Sequence, residues 1–335
     1  MRLDNAALIY PPCKSRDYTP GFRVSVTLKE CVDSVCLQKA LEEVLKRFPS
    51  SSLRVGYYGT RIDLDVFHAV TDGTGAMTFL MSLTAQYLSL RHNIPVEYGR
   101  WVRNPEDEPC EEEIEDSFDH FSGMRGSLDR EDAAFAIKGK ALPSDTIGRS
   151  RVKVDTRKVM AFAKECDCTV TELLAAVMLY SLQEIRRSSD RPFLRVEVPV
   201  NLRPIFSHGT LRDFTSYLHI GIDVRNGDMS LEDILSDVKL QKSLFYHLKG
   251  DKYCSTTLSN LGRIELSEEM AAYVRDVDFV LGRPLKRGVV AGCVSFGNSL
   301  VLNFTSRIRD QRFEQAFERN LESVLLGVTP RRAEI

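Results

Sequence analysis

The residues best suited to catalysis are His68, Asp72 and Gly73, which form an HxxxDG pattern in the stretch His68-Ala69-Val70-Thr71-Asp72-Gly73. In a chain with 6 histidines and 20 glycines among 335 residues, this spacing is expected by chance only about 0.03 times. A histidine side chain with an unperturbed pKa of about 6.5 is mostly uncharged at neutral pH and can accept a proton from a hydroxyl or an amine. The pattern therefore indicates a general base at His68.

A strand and a helix are predicted on either side of this pattern. In Arg61–Phe67 the even positions are apolar and the odd positions 61, 63 and 65 are charged, so the even side faces inward and His68 continues it. Behind the pattern, helical spacing predicts an apolar helix face made by Ala76, Phe79, Leu80, Leu83, Tyr87 and Leu90. A non-catalytic alternative remains open, in which His68 is a core residue, Asp72 an ordinary helix N-cap and Gly73 a residue selected for backbone freedom.

The first hundred residues contain one further strand and one further helix by the same criteria. Alternation predicts the strand over 22–28, and apolar residues at helical spacing predict a helix from an N-cap at Asp33 to Phe48. Beyond residue 103 both signals fade, and residues 106–119 carry nine acidic side chains and no lysine or arginine. We interpret this stretch as a solvated linker, with an acidic docking or metal site as the alternative.

Strands and helices alternate irregularly in the second half. Strands are predicted over 149–155, 194–200, 214–224, 253–259, 274–280, 289–295 and 300–305. Helices are predicted over 156–166, 173–185, 230–248 and 313–324, and Thr169 and Glu172 have capping-box spacing before the second of these. This order predicts an α/β fold with two sandwich-like subdomains, 1–103 with the HxxxDG pattern and 149–335, joined by an acidic linker or crossover over 104–148.

Composition restricts the partners and the compartment. The 45 Lys and Arg residues balance 47 Asp and Glu residues to a formal charge of −2, so no global field would hold nucleic acid or an anionic membrane. No window approaches the roughly 18 apolar residues of a spanning helix, and we expect a cytoplasmic protein. The eight cysteines are scattered, which favours reduced thiols and no resident metal over a zinc site or a catalytic cysteine.

Four ordered motifs resemble those of the chloramphenicol-acetyltransferase-like superfamily of CoA-dependent acyltransferases, which includes alcohol acetyltransferases, plant BAHD acyltransferases and condensation domains of peptide synthetases. The HxxxDG pattern is followed by Pro199-Val200-Asn201-Leu202-Arg203, Ser259-Asn260-Leu261-Gly262 and Asp278-Phe279-Val280-Leu281-Gly282-Arg283-Pro284. The last stretch resembles a DFGWG motif in which Val280 and Leu281 replace glycine and tryptophan. The resemblance spans nearly the whole chain and is closest to a bacterial alcohol-acetyltransferase-like branch.

The resemblance implies two subdomains with mixed sheets that meet at a central solvent channel, with His68 near its middle. As a general base, His68 would activate an alcohol or amine for direct attack on the thioester carbonyl of acyl-CoA, without an acyl-enzyme intermediate. Acyl-CoA is then a co-substrate and no cofactor is bound. The alternatives are a condensation-like enzyme that uses an acyl carrier protein thioester and a non-catalytic ligand-binding relative.

The resemblance also implies roles for residues around His68. Asp72 is expected to turn away from the substrate and to form a bidentate pair with Arg203, beside Asn201, which fixes the turn that presents the histidine. Gly73 is expected to leave room for the acyl group and to adopt an unusual backbone angle.

Further candidates come from the three later motifs. Oxyanion or substrate contacts are assigned to Ser259 and Asn260. A structural role in the channel is assigned to Asp278, Phe279 and Gly282. Contacts with CoA phosphates are assigned to Arg283, Lys286 and Arg287. His208 in a loop and His219 on the polar side of its strand have no predicted partner. The resemblance also implies longer excursions at 49–52 and 249–251, so we expect chain segments to be missing there.

Overall fold

The computed structural model describes residues 8, 10–14, 20–48, 53–114, 132–206, 209–243, 254–285 and 287–328. Over these residues the chain forms ten strands and nine α-helices. The strands are β1 (Gly21–Leu28), β2 (Arg54–Tyr58), β3 (Arg61–Phe67), β4 (Gly148–Asp155), β5 (Phe193–Asn201), β6 (Thr215–Asp223), β7 (Thr256–Ile264), β8 (Val274–Leu281), β9 (Val289–Phe296) and β10 (Ser299–Ser306). The helices are α1 (Ser34–Arg47), α2 (Gly73–His92), α3 (Glu111–Ile114), α4 (Thr156–Glu165), α5 (Val170–Ile185), α6 (Arg203–Phe206), α7 (Leu231–Ser243), α8 (Glu268–Ala271) and α9 (Arg312–Leu325).

The strands form two sheets, which confirms the predicted α/β fold with two parts. A four-stranded sheet has the order β2-β3-β1-β8, and a six-stranded sheet has the order β4-β10-β9-β7-β5-β6. The six-stranded sheet is mixed, because β7 runs parallel to β5 and to β9. The four-stranded sheet is antiparallel throughout, so the expectation of two mixed sheets is correct for only one of them.

Strand β8 belongs by sequence to the second half of the chain but completes the sheet of the first half. It pairs with β1 in a register that sets Val24 opposite Phe279 and Ser25 opposite Asp278. Since β1 also pairs with β3, the strand that would otherwise be an edge becomes central. The subdomain boundaries near residues 103 and 149 therefore remain a prediction. The four-stranded sheet itself includes β8, a strand that follows both boundaries in the sequence.

Apolar faces and capped helix ends explain why these elements form where the sequence predicts them. Helices α1 and α2 cover the face of the four-stranded sheet to which Ile62, Leu64 and Val66 point. The Asp33 side chain caps α1 by accepting from the backbone of residues 35 and 36. Thr169 and Glu172 form the predicted capping box of α5, a helix buried on most sides in the second part.

The acidic stretch after residue 103 is only partly solvated where the structure describes it, since residues 106–108 and 111 are exposed as predicted but residues 112 and 113 are not. Glu113 on α3 is buried and forms ion pairs with Arg47, at the end of α1, and with Arg103. Glu112 accepts a hydrogen bond from the backbone N–H of Gly209 at 2.7 Å. The prediction of a solvated linker is therefore wrong for these residues, because arginines from the first part compensate the buried charge.

Several predictions fall on residues outside the described ranges. These are the rest of the acidic stretch over 115–119 and of the linker to residue 131, the suspected missing segments at 49–52 and 249–251, the end of the predicted helix over 230–248, His208 and Lys286. Among the described residues no single helix has the length and apolar character needed to cross a membrane. Only α4 and α5 taken together, across a bend of 88°, meet that criterion by length and composition.

Candidate active site

Strand β3 delivers His68 to a cavity between the two parts of the molecule. The residue follows the last position of β3, and its backbone N–H donates to the carbonyl of Pro20 at 3.1 Å. Its side chain is 24% exposed and lines a cavity of ≈ 220 Å³. The other walls come from β5, β7 and β8, so both sheets contribute to the site.

Asp72 is buried and uses both carboxylate oxygens within the protein. Oδ1 accepts the backbone N–H of Gly75 at 3.0 Å, which caps α2. Oδ2 accepts Arg203 Nη1 at 2.7 Å and the N–H of Phe214 at 3.2 Å. The predicted ion pair is present, but a single guanidinium nitrogen makes it, so the expected bidentate geometry is wrong.

The other donors of Arg203 explain why the pair is not bidentate. Nε donates to the carbonyl of Thr210 at 2.7 Å, and Nη2 donates to the carbonyl of Arg212 at 2.6 Å. Nη1 also contacts Asn201 Oδ1 at 3.1 Å. Arg203 therefore connects the start of α2 with the loop before β6. Its Nε and Nη2 groups bind carbonyls of this loop and so are not used in a bidentate pair with Asp72.

Gly73 brings the backbone close to a cavity side chain, and its backbone angle is ordinary. It is the first residue of α2, and it is not among the glycines with a left-handed backbone. A Cβ at this position would lie 2.5 Å from Leu261 Cδ2, a side chain that also lines the cavity. The expectation of an unusual backbone angle is wrong, because the helix N-terminus needs ordinary helical dihedrals.

Three residues that the sequence analysis did not identify as site residues contact the ring of His68. Asp213 Oδ2 lies 3.5 Å from His68 Nδ1. The ring of Tyr10 stacks on the imidazole with centroids 4.4 Å apart, and Phe22 packs edge-on at 5.1 Å. Tyr10 also donates its hydroxyl to Asp213 Oδ2 at 2.7 Å, and burial raises the pKa of this tyrosine well above its usual value. No spacing in the sequence links these positions to His68.

Ser259 and Asn260 both lie on β7 and line the cavity, as predicted for substrate contacts. The amide of Asn260 is used within the protein, since Nδ2 donates to Thr171 Oγ1 at 3.1 Å and Oδ1 accepts from the N–H of Gly262 at 2.9 Å. Gly262 has φ +78°, and the pairing of β7 with β9 shifts register there. Ser259 therefore remains a candidate for the oxyanion contact. The amide of Asn260 instead stabilises the irregularity in β7 beside Ser259.

The stretch that resembles DFGWG joins the two sheets. Asp278 Oδ1 accepts hydrogen bonds from Arg151 Nε at 3.1 Å and from Asn303 Nδ2 at 3.0 Å. Phe279 is buried and packs edge-on against Phe22 at 5.8 Å between centroids. The N–H of Gly282 donates to the carbonyl of Gly21 at 2.8 Å, and a Cβ on Gly282 would overlap that oxygen. Phe279 and Gly282 also line the His68 cavity, so the structural role assigned to this stretch stays a prediction.

The basic candidates separate into different environments. Arg283 lies where the His68 cavity adjoins a larger one of ≈ 1380 Å³, and its Nη2 donates to the carbonyl of Leu142. Arg287 is buried and forms a bidentate pair with Glu197 at 2.8 and 2.7 Å. We therefore withdraw Arg287 as a phosphate ligand, because its donors already bind a carboxylate. Lys286 lies outside the described residues.

Glu197 belongs to a cluster of ionisable groups in the wall of the cavity. His219 Nε2 lies 3.6 Å from Glu197 Oε2, which provides the partner that the sequence did not reveal. Burial acts to raise the pKa of Glu197, but His219 and Arg287 outweigh this effect and the pKa is lowered. The ligand atoms of Glu197, His219 and Cys254 lie within 4.8 Å of one another. Since Arg287 occupies both oxygens of the carboxylate, we describe the group as an ion-pair cluster.

No protein-family model and no curated protein matches the sequence. Solved structures do match it. The first condensation domain of the calcium-dependent antibiotic synthetase, in complex with a substrate analogue, aligns with a TM-score of 0.68 over 99% of this chain and 96% of its own, at 13% identity. TRI3 trichothecene 15-O-acetyltransferase from Fusarium sporotrichioides aligns with a TM-score of 0.60 over 97% and 94%, at 11% identity. The starter condensation domain of rhizomide synthetase, in complex with C8-CoA and Leu-SNAC, aligns with a TM-score of 0.62 over 99% and 96%, at 11% identity.

Proposed function

For a chain that has the two-part condensation-domain fold of the chloramphenicol-acetyltransferase-like superfamily, we propose acyl transfer from an acyl thioester to an alcohol or an amine. The preferred donor is acyl-CoA, and His68 is the general base. The observation that carries this proposal is the position of His68, whose partly exposed side chain lines a cavity formed by both sheets, with Nδ1 buried. A histidine held in this way can take a proton from a bound acceptor.

The reaction needs no covalent enzyme intermediate. Nε2 of His68 accepts the acceptor proton while the acceptor oxygen or nitrogen attacks the thioester carbonyl. The resulting tetrahedral oxyanion needs a donor aimed at it, and the hydroxyl of Ser259 in the cavity wall is the candidate. The tetrahedral species then expels the thiolate, and the protonated His68 returns the proton to the sulfur.

The larger cavity supports a donor that carries negative charge. Its lining includes Arg23, Arg54, Arg61, Arg149 and Arg283, with Asp65 and Asp145 as acidic residues. Asp65 is occupied by Arg23 at 2.6 Å. Burial lowers the pKa of Arg149 from its usual value, and three neighbouring guanidinium groups act in the same direction. A cavity with an excess of cations that opens towards His68 favours entry of the CoA diphosphate.

A carrier-protein thioester is the second candidate donor, because condensation domains are among the structures similar to this chain. A third candidate is a protein that binds ligands in the cavity without turnover, which the two replacements in the DFGWG-like stretch favour. The three candidates differ in what the cavity must accept. Acyl-CoA brings a nucleotide, a carrier protein brings only phosphopantetheine, and a binding protein releases no thiol.

The test is an assay of free thiol with the purified protein and a panel of alcohols and amines. One series uses acyl-CoA donors of increasing chain length, and a parallel series uses acyl-N-acetylcysteamine thioesters, which lack the nucleotide. We expect acceptor-dependent thiol release that is faster from acyl-CoA. Equal or better use of the N-acetylcysteamine thioesters would favour the carrier-protein donor. Absence of acceptor-dependent release from both series would overturn the proposed activity.

A further inference from the structure

Asp213 approaches the imidazole of His68 although it belongs to none of the four motifs. It lies two residues before the start of β6 and is 5% exposed. Oδ2 accepts the hydroxyl of Tyr10 at 2.7 Å and lies 3.5 Å from His68 Nδ1. Oδ1 accepts the hydroxyl of Thr215 at 2.6 Å. Two hydroxyl donors are the partners that an ionised carboxylate needs when it is buried.

The surroundings of Nδ1 favour one tautomer of His68. Nδ1 is buried and has no hydrogen-bond partner within the part of the chain that the structure describes. A lone pair on Nδ1 would face the oxygen of Asp213, whereas a proton on Nδ1 would point to it and needs only a small rotation of the ring to form a hydrogen bond. In the neutral ring a proton on Nδ1 leaves the lone pair on Nε2, which is the atom that a base must present to the cavity.

The two partners are held on one scaffold. The carboxylate of Asp72 caps the helix that follows His68 and also accepts the N–H of Phe214, the residue after Asp213. Arg203 holds the carbonyl of Arg212, the residue before Asp213. The ion pair of Asp72 and Arg203 therefore anchors both the turn after His68 and the loop that carries Asp213. These shared hydrogen bonds fix the distance between the side chains of His68 and Asp213.

The charges around Asp213 suit a partner that becomes protonated. Burial raises the pKa of Asp213, and the carboxylate of Asp72 acts in the same direction, while a positive His68 and the hydroxyls of Thr215 and Tyr10 oppose it. Arg203 donates to the carboxylate of Asp72 and to the carbonyl of Arg212. The negative charge of Asp213 is therefore stabilised most when His68 carries a proton, and it stabilises that proton in return.

We propose that Asp213 is a positioning residue that holds His68 in the Nδ1–H tautomer and stabilises the imidazolium formed when the base takes a proton. The proposal rests on the role of His68 in the proposed function. In this proposal the carboxylate that orients the base comes from Asp213, in the loop before β6. Asp72 of the HxxxDG pattern instead holds this loop and the start of α2 in place.

The test combines a spectroscopic measurement with kinetics on the full chain. Nitrogen NMR of protein with 15N-labelled histidine reports the tautomer, and the His68→Gln variant identifies the signals of His68. At a pH where the ring is neutral, we expect Nδ1–H in the wild type and in Asp213→Glu, and a shift towards Nε2–H in Asp213→Asn. In the thiol assay we expect Asp213→Asn to lower kcat about 10- to 100-fold, within what a general base contributes, with KM changed less than about twofold.

The matched control is Asp223→Asn at the other end of β6, where the aspartate is exposed and binds Arg225. It should change neither the tautomer nor kcat. An Nε2–H tautomer in the wild type, or an unchanged tautomer and kcat in Asp213→Asn, would overturn the proposal. The wild-type spectrum decides the question even if the variant does not fold. If the wild type transfers no acyl group, the proposed function fails, and the spectra alone still decide whether Asp213 orients the ring.

Discussion

His68 is held from three sides by residues that differ in chemistry. Tyr10 stacks on one face, Phe22 packs against an edge and Asp213 faces Nδ1. The aromatic contacts restrict rotation of the ring, since stacking and edge-on contacts both have preferred geometries. The imidazole is therefore oriented before any substrate enters, which is what a base within hydrogen-bond reach of its acceptor requires.

Replacement of His68 by alanine is expected to remove turnover without unfolding the protein. A general base contributes about 10²- to 10⁴-fold in rate. The His68 side chain is partly exposed in an existing cavity, so its truncation should change the stability of the fold little. The thiol assay and a thermal melt measure the two effects. The matched control is His92→Ala, because His92 also stacks on a tyrosine and contacts an acid but lies outside the cavity. Near-wild-type transfer by His68→Ala would contradict the mechanism.

Glu314 on α9 predicts a dependence of stability on pH. Its side chain is 4% exposed and Oε2 has no hydrogen-bond partner among the described residues. Burial raises the pKa of Glu314 to about 7 from an ordinary value of 4.5. Between these values the unfolded state loses a proton that the folded state keeps, so stability falls as pH rises and the loss is complete above about pH 7.

Glu314→Gln removes this dependence. We expect the variant to gain about 2 to 3 kcal/mol of unfolding free energy over the wild type between pH 5 and pH 8. Urea unfolding at the two pH values measures the gain. Glu318→Gln, an exposed change on the same helix, is the control and should show no such gain. An equal effect of Glu314→Gln at both pH values would argue against a buried protonated carboxyl.

At the scale of elements, the ion pair between Asp72 and Arg203 connects the start of α2 with the loop between β5 and β6. Gly75 belongs to the same junction, since a Cβ there would overlap the carbonyl of Leu211 in that loop. Thr71 donates its hydroxyl to the same carbonyl. The junction therefore depends on close backbone approach as well as on charge, and both features place β3, α2 and β6 around one cavity.

A double-mutant cycle should show that Asp72 and Arg203 are coupled. Asp72→Asn keeps an N-cap, and Arg203→Met keeps much of the side-chain volume. Each single change strands a buried charge and should cost about 3 to 5 kcal/mol, whereas the double change should cost less than the sum. Urea unfolding measures the four proteins. Additive costs would show that the pair does not act as a unit, and the exposed pair of Asp223 and Arg225 provides a cycle expected to be additive.

At the scale of the whole molecule, the polar face of the four-stranded sheet meets charged residues of β4. Lys153 pairs with Asp276 at 2.6 Å, and Arg151 pairs with Asp278 at 3.1 Å. The acidic partners lie on β8, which is the strand that the second half of the chain contributes. Charges that alternate along these strands therefore serve an internal contact between the two sheets and do not simply face solvent.

Because β8 from the second half of the chain completes the four-stranded sheet, we predict that the first half cannot fold alone. A fragment of residues 1–103 would leave β1 as an exposed edge and would remove Val277 and Phe279 from the core that contains Val24 and Val26. We expect circular dichroism of the fragment to show no cooperative melt, while the full chain measured beside it melts cooperatively. A cooperative transition in the fragment would contradict this expectation and would establish 1–103 as an independent domain.

The sequence by itself determined the local elements and the chemical candidate. Local patterns depend on residues within a few positions of one another, so they can be read from the sequence alone. Examples are the alternation over 61–67, the cap at Asp33 and the capping box of α5. The HxxxDG pattern is local in the same sense. The pair of Asp72 and Arg203 was implied by the family resemblance that the ordered motifs carry, although its geometry was not.

Only the tertiary structure decided which groups surround His68. The hydroxyl of Tyr10 and the carboxylate of Asp213 meet across 203 residues, and the N–H of Phe214 reaches Asp72 across 142. Contacts of this kind follow from strand order and from the path of a loop, which no residue spacing encodes. For the same reason the sequence did not reveal that β8 joins the sheet of the first half or that Arg287 pairs with Glu197, since the pairing of a strand or a charge depends on neighbours that are distant in sequence.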